Sequence, residues 1–339
     1  QRQDGIYPSH ITPRGQMGGK YTDWISATAW DAYLVHPNKK RLAASADALA
    51  ANTEGWRKVY GWGGSPLLVV DDHWWTGMEW QPSFFSFNGH KTDKQQPLRR
   101  VDLTAYNYGN EINTAKVMRE LGRISEARKF ESLAAETRKA VLDKMWNPQT
   151  KWFHSLHSET GEASPDREVI GVYPFTFGLP PKGQGYEEAW RTILDPKLFW
   201  TKWPLASVAK DSPAYAQNGW PVGAGGSICM WNGPSWPHAN SLVLTGMANS
   251  LRQSGEGVLK KADLFALFKS FTEAQFKDGQ TWTGEFYNGD TAEWKTGERD
   301  YNHSTWLDPL IHDLLGIVPQ PDGSVIIDPL IPQSAWAWW

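Results

Sequence analysis

The chain has a single cysteine, Cys229, in 339 residues. One thiol excludes an internal disulfide framework and any zinc or iron–sulfur site built from cysteines. Long apolar runs are missing as well: nowhere do roughly 18 apolar residues follow one another, so the sequence holds no candidate membrane-spanning helix. Charge of one sign is also lacking, with 34 basic against 37 acidic side chains and a formal net charge of -3. Spread thinly, that charge supplies no electrostatic reason to bind nucleic acid or an anionic membrane, and a neutral ligand is expected. The chain opens at Gln1 with polar residues, without Met, a basic stretch or an apolar stretch. No signal peptide can be read there, and a processed or truncated start is expected. The compartment stays open, since a single Cys is compatible with cytosol, periplasm or exterior alike.

What the chain has in excess is tryptophan, 21 residues in a sequence only 40% apolar. An indole offers a flat apolar face and one N–H donor, which suits burial and also suits the C–H faces of sugar rings. Many of these residues stand in polar, Gly/Pro-rich segments rather than among Leu and Val at helical spacing: Trp74, Trp75 and Trp80, then Trp231 and Trp236, then Trp282 and Trp294. The loop clusters are expected to line a groove.

Helical periodicity dominates elsewhere. The spacing predicts a helix over Val101–Leu121 stopped by Gly122, and a second after Ser125 as N-cap, with Phe130, Ala134, Thr137, Val141 and Met145 on one face. Further pairs are expected at Thr22–Val35 with Asn38–Asn52, and at Trp236–Leu251 with Glu256–Phe276. Shorter helices fit Arg167–Phe175, Tyr186–Leu194 and Ser304–Leu315. Strand signals are confined to Trp152–Leu156 and to Ser324–Asp328 after the Pro321–Gly323 turn. About nine helices in hairpin pairs point to an all-α fold, an (α/α)6 toroid with short β-hairpin insertions. The shortfall from twelve helices is expected to lie in an N-terminal part outside the chain or in helices this reading misses. The catalytic domain is expected over residues 1–320, with 321–339 a C-terminal strand and tail leading to or belonging to a small β element.

Three segments mix carboxylate, amide and indole groups as a neutral-sugar site would. They are Asp71–Phe84, Met230–Pro237, and Gly284–Asn288 continuing through Thr296–Ser304. Gly77-Met78-Glu79-Trp80-Gln81-Pro82 resembles the Ser-Gly-Met/Trp-Asp-x-Ser-Pro signature of α/α-barrel glycoside hydrolases, the trehalases, processing α-glucosidases and mannosylglycerate hydrolases. Trp231-Asn232-Gly233-Pro234-Ser235-Trp236-Pro237 is similar to their Trp-Arg/Asn-Gly-Pro-x-Trp segment. Glu285-Phe286-Tyr287-Asn288 resembles their Glu-x-Tyr-Asn/Asp stretch, which is followed by Thr-Gly-Glu-like residues as at Thr296-Gly297-Glu298. The segments occur in the family order, and the resemblance runs from about Asp4 to Pro332.

The resemblance implies an inverting mechanism with Glu79 as general acid and Glu285 as the base that activates water. It places Gln81, Asn232, Gly233 and Tyr287 at the sugar, and puts Asp102 near it, where opening a helix is the alternative role. Glu79 stands where the signature has Asp, which makes Asp72 the nearest rival acid; Asn232 stands where many relatives have Arg. Trp231 and Trp236 are expected as sugar platforms, with Trp74, Trp75 and Trp80 beside them. Glu298 is a further candidate contact, its alternative being a local ion pair with Arg299.

Glycosidic cleavage needs a proton on the departing oxygen, and inversion needs a second carboxylate across a gap of roughly 6.5–9.5 Å that admits water. Apolar rings beside the acid would raise its pKa. The chemistry takes no cofactor, and no metal site is expected: His73, His238 and His303 lack paired ligand spacing, and no loop has the regular oxygen ligands of a calcium site. The expected partner is an oligosaccharide or polysaccharide, with further domains of the same polypeptide conceivable. A polysaccharide lyase, with a Tyr or His base, and a noncatalytic glycan-binding module are the competing readings.

Overall fold

The computed structural model describes residues 4–7, 23–218, 229–295, 300–301 and 305–338. Its long helices are α1 (Ile25–Val35), α2 (Lys39–Tyr60), α3 (Val101–Glu120) and α4 (Ile124–Lys144). After these come the short α5 (Tyr173–Thr176) and α6 (Ala189–Leu194), then α7 (Pro237–Ser254) and α8 (Lys261–Glu273). The expected pairs are present: α1 packs on α2, α3 on α4 and α7 on α8.

Within the last two pairs the members are not equivalent. In α3, 16 of 20 residues are buried, and in α7, 12 of 18, whereas α4 buries 5 of 21 and α8 buries 4 of 13. A helix covered on all sides lies inside, and one with a single apolar stripe lies outside. Inner α3 and α7 with outer α4 and α8 give the layered arrangement of a helical toroid. Burial of α3 covers polar groups as well as apolar ones, and several find partners: Asn110 Nδ2 donates to the Asp23 carbonyl at 3.0 Å, and Asn107 Nδ2 to Glu111 Oε1 at 3.2 Å.

Several boundaries differ from the sequence reading. Helix α4 starts at Ile124 with Arg123 as its cap, earlier than a Ser125 cap requires, and Arg123 Nε pairs with Glu126 at 2.6 Å across the first turn. Helix α2 runs on to Tyr60, since Thr53, Trp56 and Tyr60 continue its buried face. The expected helix over 167–175 is a 3-10 turn, Val169–Val172, running into α5; Glu168 is extended and bridges Val208, which delays the helical start. Near the C-terminus the expected helix is a π-type turn, Pro309–Leu314, opened by proline. Strand Val325–Ile327 forms as expected and pairs antiparallel with Ile317–Pro319. The strand expected over 152–156 divides, Trp152–Phe153 pairing with Trp146–Asn147 and Leu156–His157 with Leu98–Arg99.

Two small β elements position the loops that matter. Val69–Val70, Leu98–Arg99 and Leu156–His157 make a three-stranded antiparallel sheet. That sheet sets the exit of Val70, and so the start of the 71–84 loop, beside the N-terminus of α3. A hairpin of Tyr287–Asn288 with Glu293–Trp294 follows α8 and its Phe276–Thr281 hairpin. Asp278 and Gly279 turn the latter with φ of 53° and 74°. That is the left-handed pair a two-residue hairpin loop demands.

Candidate active site

In the first segment a 3-10 turn, His73–Thr76, begins with the Asp72 side chain accepting from Trp74 N at 3.1 Å. Asp72 therefore serves as its cap. Gly77, at φ 67°, reverses the chain. Trp80 also has a left-handed backbone, φ 61°, which is unusual for a bulky residue. It is held there by its N–H on His73 Nδ1 at 3.2 Å and by stacking on Phe85 with ring centroids 5.9 Å apart. Burial among these rings lowers the His73 pKa to about 4. A neutral imidazole accepting at Nδ1 fits that environment. Glu79 lies between the two turns and is 9% exposed.

The three segments, far apart in sequence, are tied together by main-chain hydrogen bonds. Trp231 N donates to the Glu79 carbonyl at 3.1 Å. Ser235 N donates to the Tyr287 carbonyl at 2.9 Å, and Tyr287 N returns to the Ser235 carbonyl at 3.0 Å. Tyr301 N donates to the Thr283 carbonyl at 2.8 Å, which brings the last segment alongside Glu285.

The side chains then converge. The Cys229 thiol donates to Glu79 Oε2 at 3.5 Å. Burial pushes the Cys229 thiol up, and the charges of both Glu79 and Glu285 push the same way. Burial and the nearby Glu285 charge raise the pKa of the Tyr301 hydroxyl to about 12, with Cys229 and Glu79 adding to the effect. Glu79, Cys229, Glu285 and Tyr301 therefore share one cluster. Burial raises the Glu79 pKa above that of an ordinary glutamate, more than its own backbone N–H and the Cys229 thiol lower it. Glu285 is only half-buried. A carboxyl biased toward its protonated form and a wetter carboxylate in one cluster are what acid–base catalysis requires.

Other expected contacts are relocated. Trp231 and Trp236 are 0% and 1% exposed and stack on each other, centroids 4.2 Å apart and planes 9° apart, with Phe286 continuing the stack at 4.3 Å from Trp236. Their faces are used by one another, so they support the cluster from behind and are not sugar platforms. Two polar atoms at this wall are buried without a partner among the described residues, the Trp231 indole N–H and Asn232 Oδ1. The Asn232 amide donates to the Ala214 carbonyl at 2.9 Å.

Gln81 and Asp102 are not at a ligand surface either. Both are buried around Arg100, which donates from Nε and Nη2 to the two Asp102 oxygens at 2.9 Å each and also reaches Gln81 Oε1. Arg100 also donates to Ser83 Oγ at 2.9 Å and lies 3.4 Å from Glu168, which in turn accepts from Ser83 N and Oγ. The sequence reading did not single out Arg100, Ser83 or Glu168, since nothing local signals a buried ion cluster. Tyr287 is buried with its hydroxyl on the Pro204 carbonyl at 3.3 Å. Of the indoles, Trp74 and Trp75 are 48% and 39% exposed and Trp80 is half-buried. Glu298 and His303 lie outside the described residues.

Gly233 owes its identity to packing. A Cβ there would stand 2.5 Å from the Ala216 carbonyl oxygen and 2.7 Å from its carbon. Backbone cannot rotate away as a side chain can. Gly233→Ala is expected to cost about 1–3 kcal/mol, read as a lowered midpoint in urea unfolding; an unchanged midpoint would show that the 214–216 segment yields freely.

The profile of the family described as the mannosylglycerate hydrolase MGH1-like glycoside hydrolase domain matches residues 1–304. Among solved structures, a chain described as a sialidase superposes with a TM-score of 0.82 at 26% identity, over 92% of this chain and 28% of that one. The present chain thus spans little more than a quarter of that protein. An uncharacterized conserved protein from Thermus thermophilus matches with a TM-score of 0.69 at 16% identity, covering 91% of this chain and 83% of that one. The GH63 mannosylglycerate hydrolase from the same organism, in complex with glucose, matches at 0.67 and 17%, covering 92% and 84%. At these identities the Thermus proteins speak to fold, and the fold is the helical toroid with β-hairpin insertions expected from the periodicity.

Proposed function

This chain belongs to the MGH1-like glycoside hydrolase family, and from that membership we propose that it is an exo-acting, inverting glycosidase that releases a terminal sugar from an oligosaccharide or a polysaccharide side chain. In this reading residues 1–320 are the catalytic domain, and the tail from 321 completes the last β-hairpin. The membership favours hydrolysis over the lyase and the noncatalytic glycan-binding module.

The observation that carries the assignment of roles is the stitching of the Glu79 and Glu285 segments to the 229–237 segment between them: Trp231 N on the Glu79 carbonyl, Ser235 and Tyr287 exchanging main-chain bonds, and the Cys229 thiol on Glu79 Oε2 at 3.5 Å. Glu79, whose pKa burial raises, gives its proton to the glycosidic oxygen as the bond to the anomeric carbon breaks. Glu285 takes a proton from the water that attacks that carbon from the opposite face, so the configuration inverts and the two carboxyls end with their protonation exchanged. The exposed faces of Trp74 and Trp75 suit the C–H side of a bound sugar.

The test is the configuration of the first product. Proton NMR during early turnover should show a free sugar anomer opposite to that of the glycoside, before mutarotation. Release of the same anomer would mean retention and would remove Glu285 as a water-activating base.

The pH profile supplies a second test. Because burial raises the Glu79 pKa, its active protonated form persists above the range of a solvated glutamate, about 4.3. Activity should fall as pH rises through that raised value, and the alkaline limb of kcat/KM should belong to Glu79. Glu79→Gln, whose side chain does not titrate, should lack that limb.

A further inference from the structure

We infer that Cys229 is a positioning residue for the general acid, its thiol holding Oε2 of the Glu79 carboxyl so that the proton is carried on the other oxygen, toward the departing group. This rests on the reading of Glu79 as the acid. The thiol donates to Oε2 at 3.5 Å, and among the described residues no other side chain hydrogen-bonds that carboxyl. Backbone contacts on both sides fix the thiol there. Met230, the next residue, has its carbonyl on the Trp236 indole N–H at 3.2 Å, and Trp231 N donates to the Glu79 carbonyl at 3.1 Å. The buried, stacked pair of Trp231 and Trp236 thus anchors both the chain that carries the thiol and the main chain of the acid.

A general acid needs its carboxyl in one orientation and still protonated. The two demands conflict when the orienting group is a strong donor, because a cation or a hydroxyl on the carboxylate stabilises its ionised form and lowers its pKa. A thiol is a weak donor. It selects one rotamer of a side chain that otherwise samples several, while burial still governs the proton, raising the Glu79 pKa more than the thiol lowers it. The thiol also keeps its own proton to donate, since burial and the charges of Glu79 and Glu285 push it up. Besides Glu79 and Cys229 themselves, the titratable groups acting across the cluster are Glu285 and Tyr301.

The experiment is Cys229→Ala, measured on an alkyl and an activated aryl glycoside of the same sugar, alone and in the Glu79→Gln background, with Cys229→Ser as the variant that keeps a donor. The expected result for Cys229→Ala is a fall in kcat of about 2–10-fold on the alkyl glycoside, the effect of one lost weak hydrogen bond, with KM within about twofold. On the aryl glycoside, whose leaving group needs no proton, kcat should match the parent. The alkaline limb of the pH profile should move to higher pH, because the ionised carboxylate loses a donor. Cys229→Ser should move that limb the other way, a hydroxyl being the stronger donor, and keep kcat on the alkyl glycoside within about twofold of the parent. In the Glu79→Gln background Cys229→Ala should cost almost nothing more, since its partner's function is already gone. An unmoved limb, equal losses on the two substrates, a serine variant that behaves as the alanine one does, or a further loss in the Glu79→Gln background overturns the inference and leaves the acid assignment standing. Full activity of Glu79→Gln on the alkyl glycoside overturns the acid assignment itself, and the inference with it.

Discussion

Glu79→Gln should lose on the order of 10²–10⁴ in kcat on glycosides with ordinary sugar leaving groups, and most of that loss should vanish on a substrate whose leaving group is a phenol with strong electron withdrawal. The departing oxygen then needs no proton, so the missing acid is no longer missed. Glu285→Gln should fall by a similar factor on both substrates, because a better leaving group does not supply the deprotonated water. The difference between the two responses separates the roles, and it does so without any geometric measurement. Assays of both variants on an alkyl and an activated aryl glycoside of the same sugar decide it. Equal responses would contradict the assignment. Full activity of Glu79→Gln on natural oligosaccharides would move the acid elsewhere, although Asp72, engaged in capping the His73 turn at 3.1 Å from Trp74 N, is poorly placed to take over.

The largest effect on stability should come from Arg100→Met. Arg100 is fully buried and is the cation facing both Asp102 and Glu168, with Ser83 and Gln81 as additional acceptors. Removing it leaves two buried carboxyls uncompensated, and breaking a buried pair in this way costs about 3–5 kcal/mol. Methionine fills most of the volume, so the loss reports charge rather than a cavity. The sign with pH follows from linkage. Burial already raises the Glu168 pKa to about 7, against the lowering effect of Arg100; without Arg100 it rises further, so the folded variant binds more protons than its unfolded chain and its stability falls as pH rises. The deficit relative to the parent should therefore be largest above neutrality and shrink in mild acid as Glu168 takes up its proton. Urea unfolding across that range measures it; a deficit independent of pH would assign the cost to packing instead.

The same ion cluster shows where reading the chain stops. Arg100 and Asp102 adjoin the start of α3, and their position there was readable from the helix pattern. That Gln81, Ser83 and Glu168 close around them was not, because ion pairing inside a protein depends on which segments are brought together and carries no local period.

Helices α2, α3, α4 and α7, with their turns, were legible because apolar spacing of three and four residues is a property of the chain itself. Their inner and outer order was not, since α3 carries Asn, Thr and Glu over its whole circumference and buries them only because neighbouring helices offer partners. The candidate carboxylates were legible through the Gly77–Pro82 and Glu285–Asn288 motifs, whose residue types carry the chemistry. The tryptophans were misjudged at one point for a physical reason: an indole in a Gly/Pro-rich loop reads alike whether its face meets a sugar or another indole. Trp231 and Trp236 meet each other, and the choice was made by the hydrogen bonds of Ser235 with Tyr287, which fold their segment inward. Cys229 and Tyr301 owe their place beside the two carboxylates to the same stitching. Periodicity sufficed for the paired helices of the toroid, and the family-like motifs for the kind of chemistry they imply; which side chains face one another was settled by main-chain contacts between segments far apart in the sequence, because only folding brings those donors and acceptors within bonding distance.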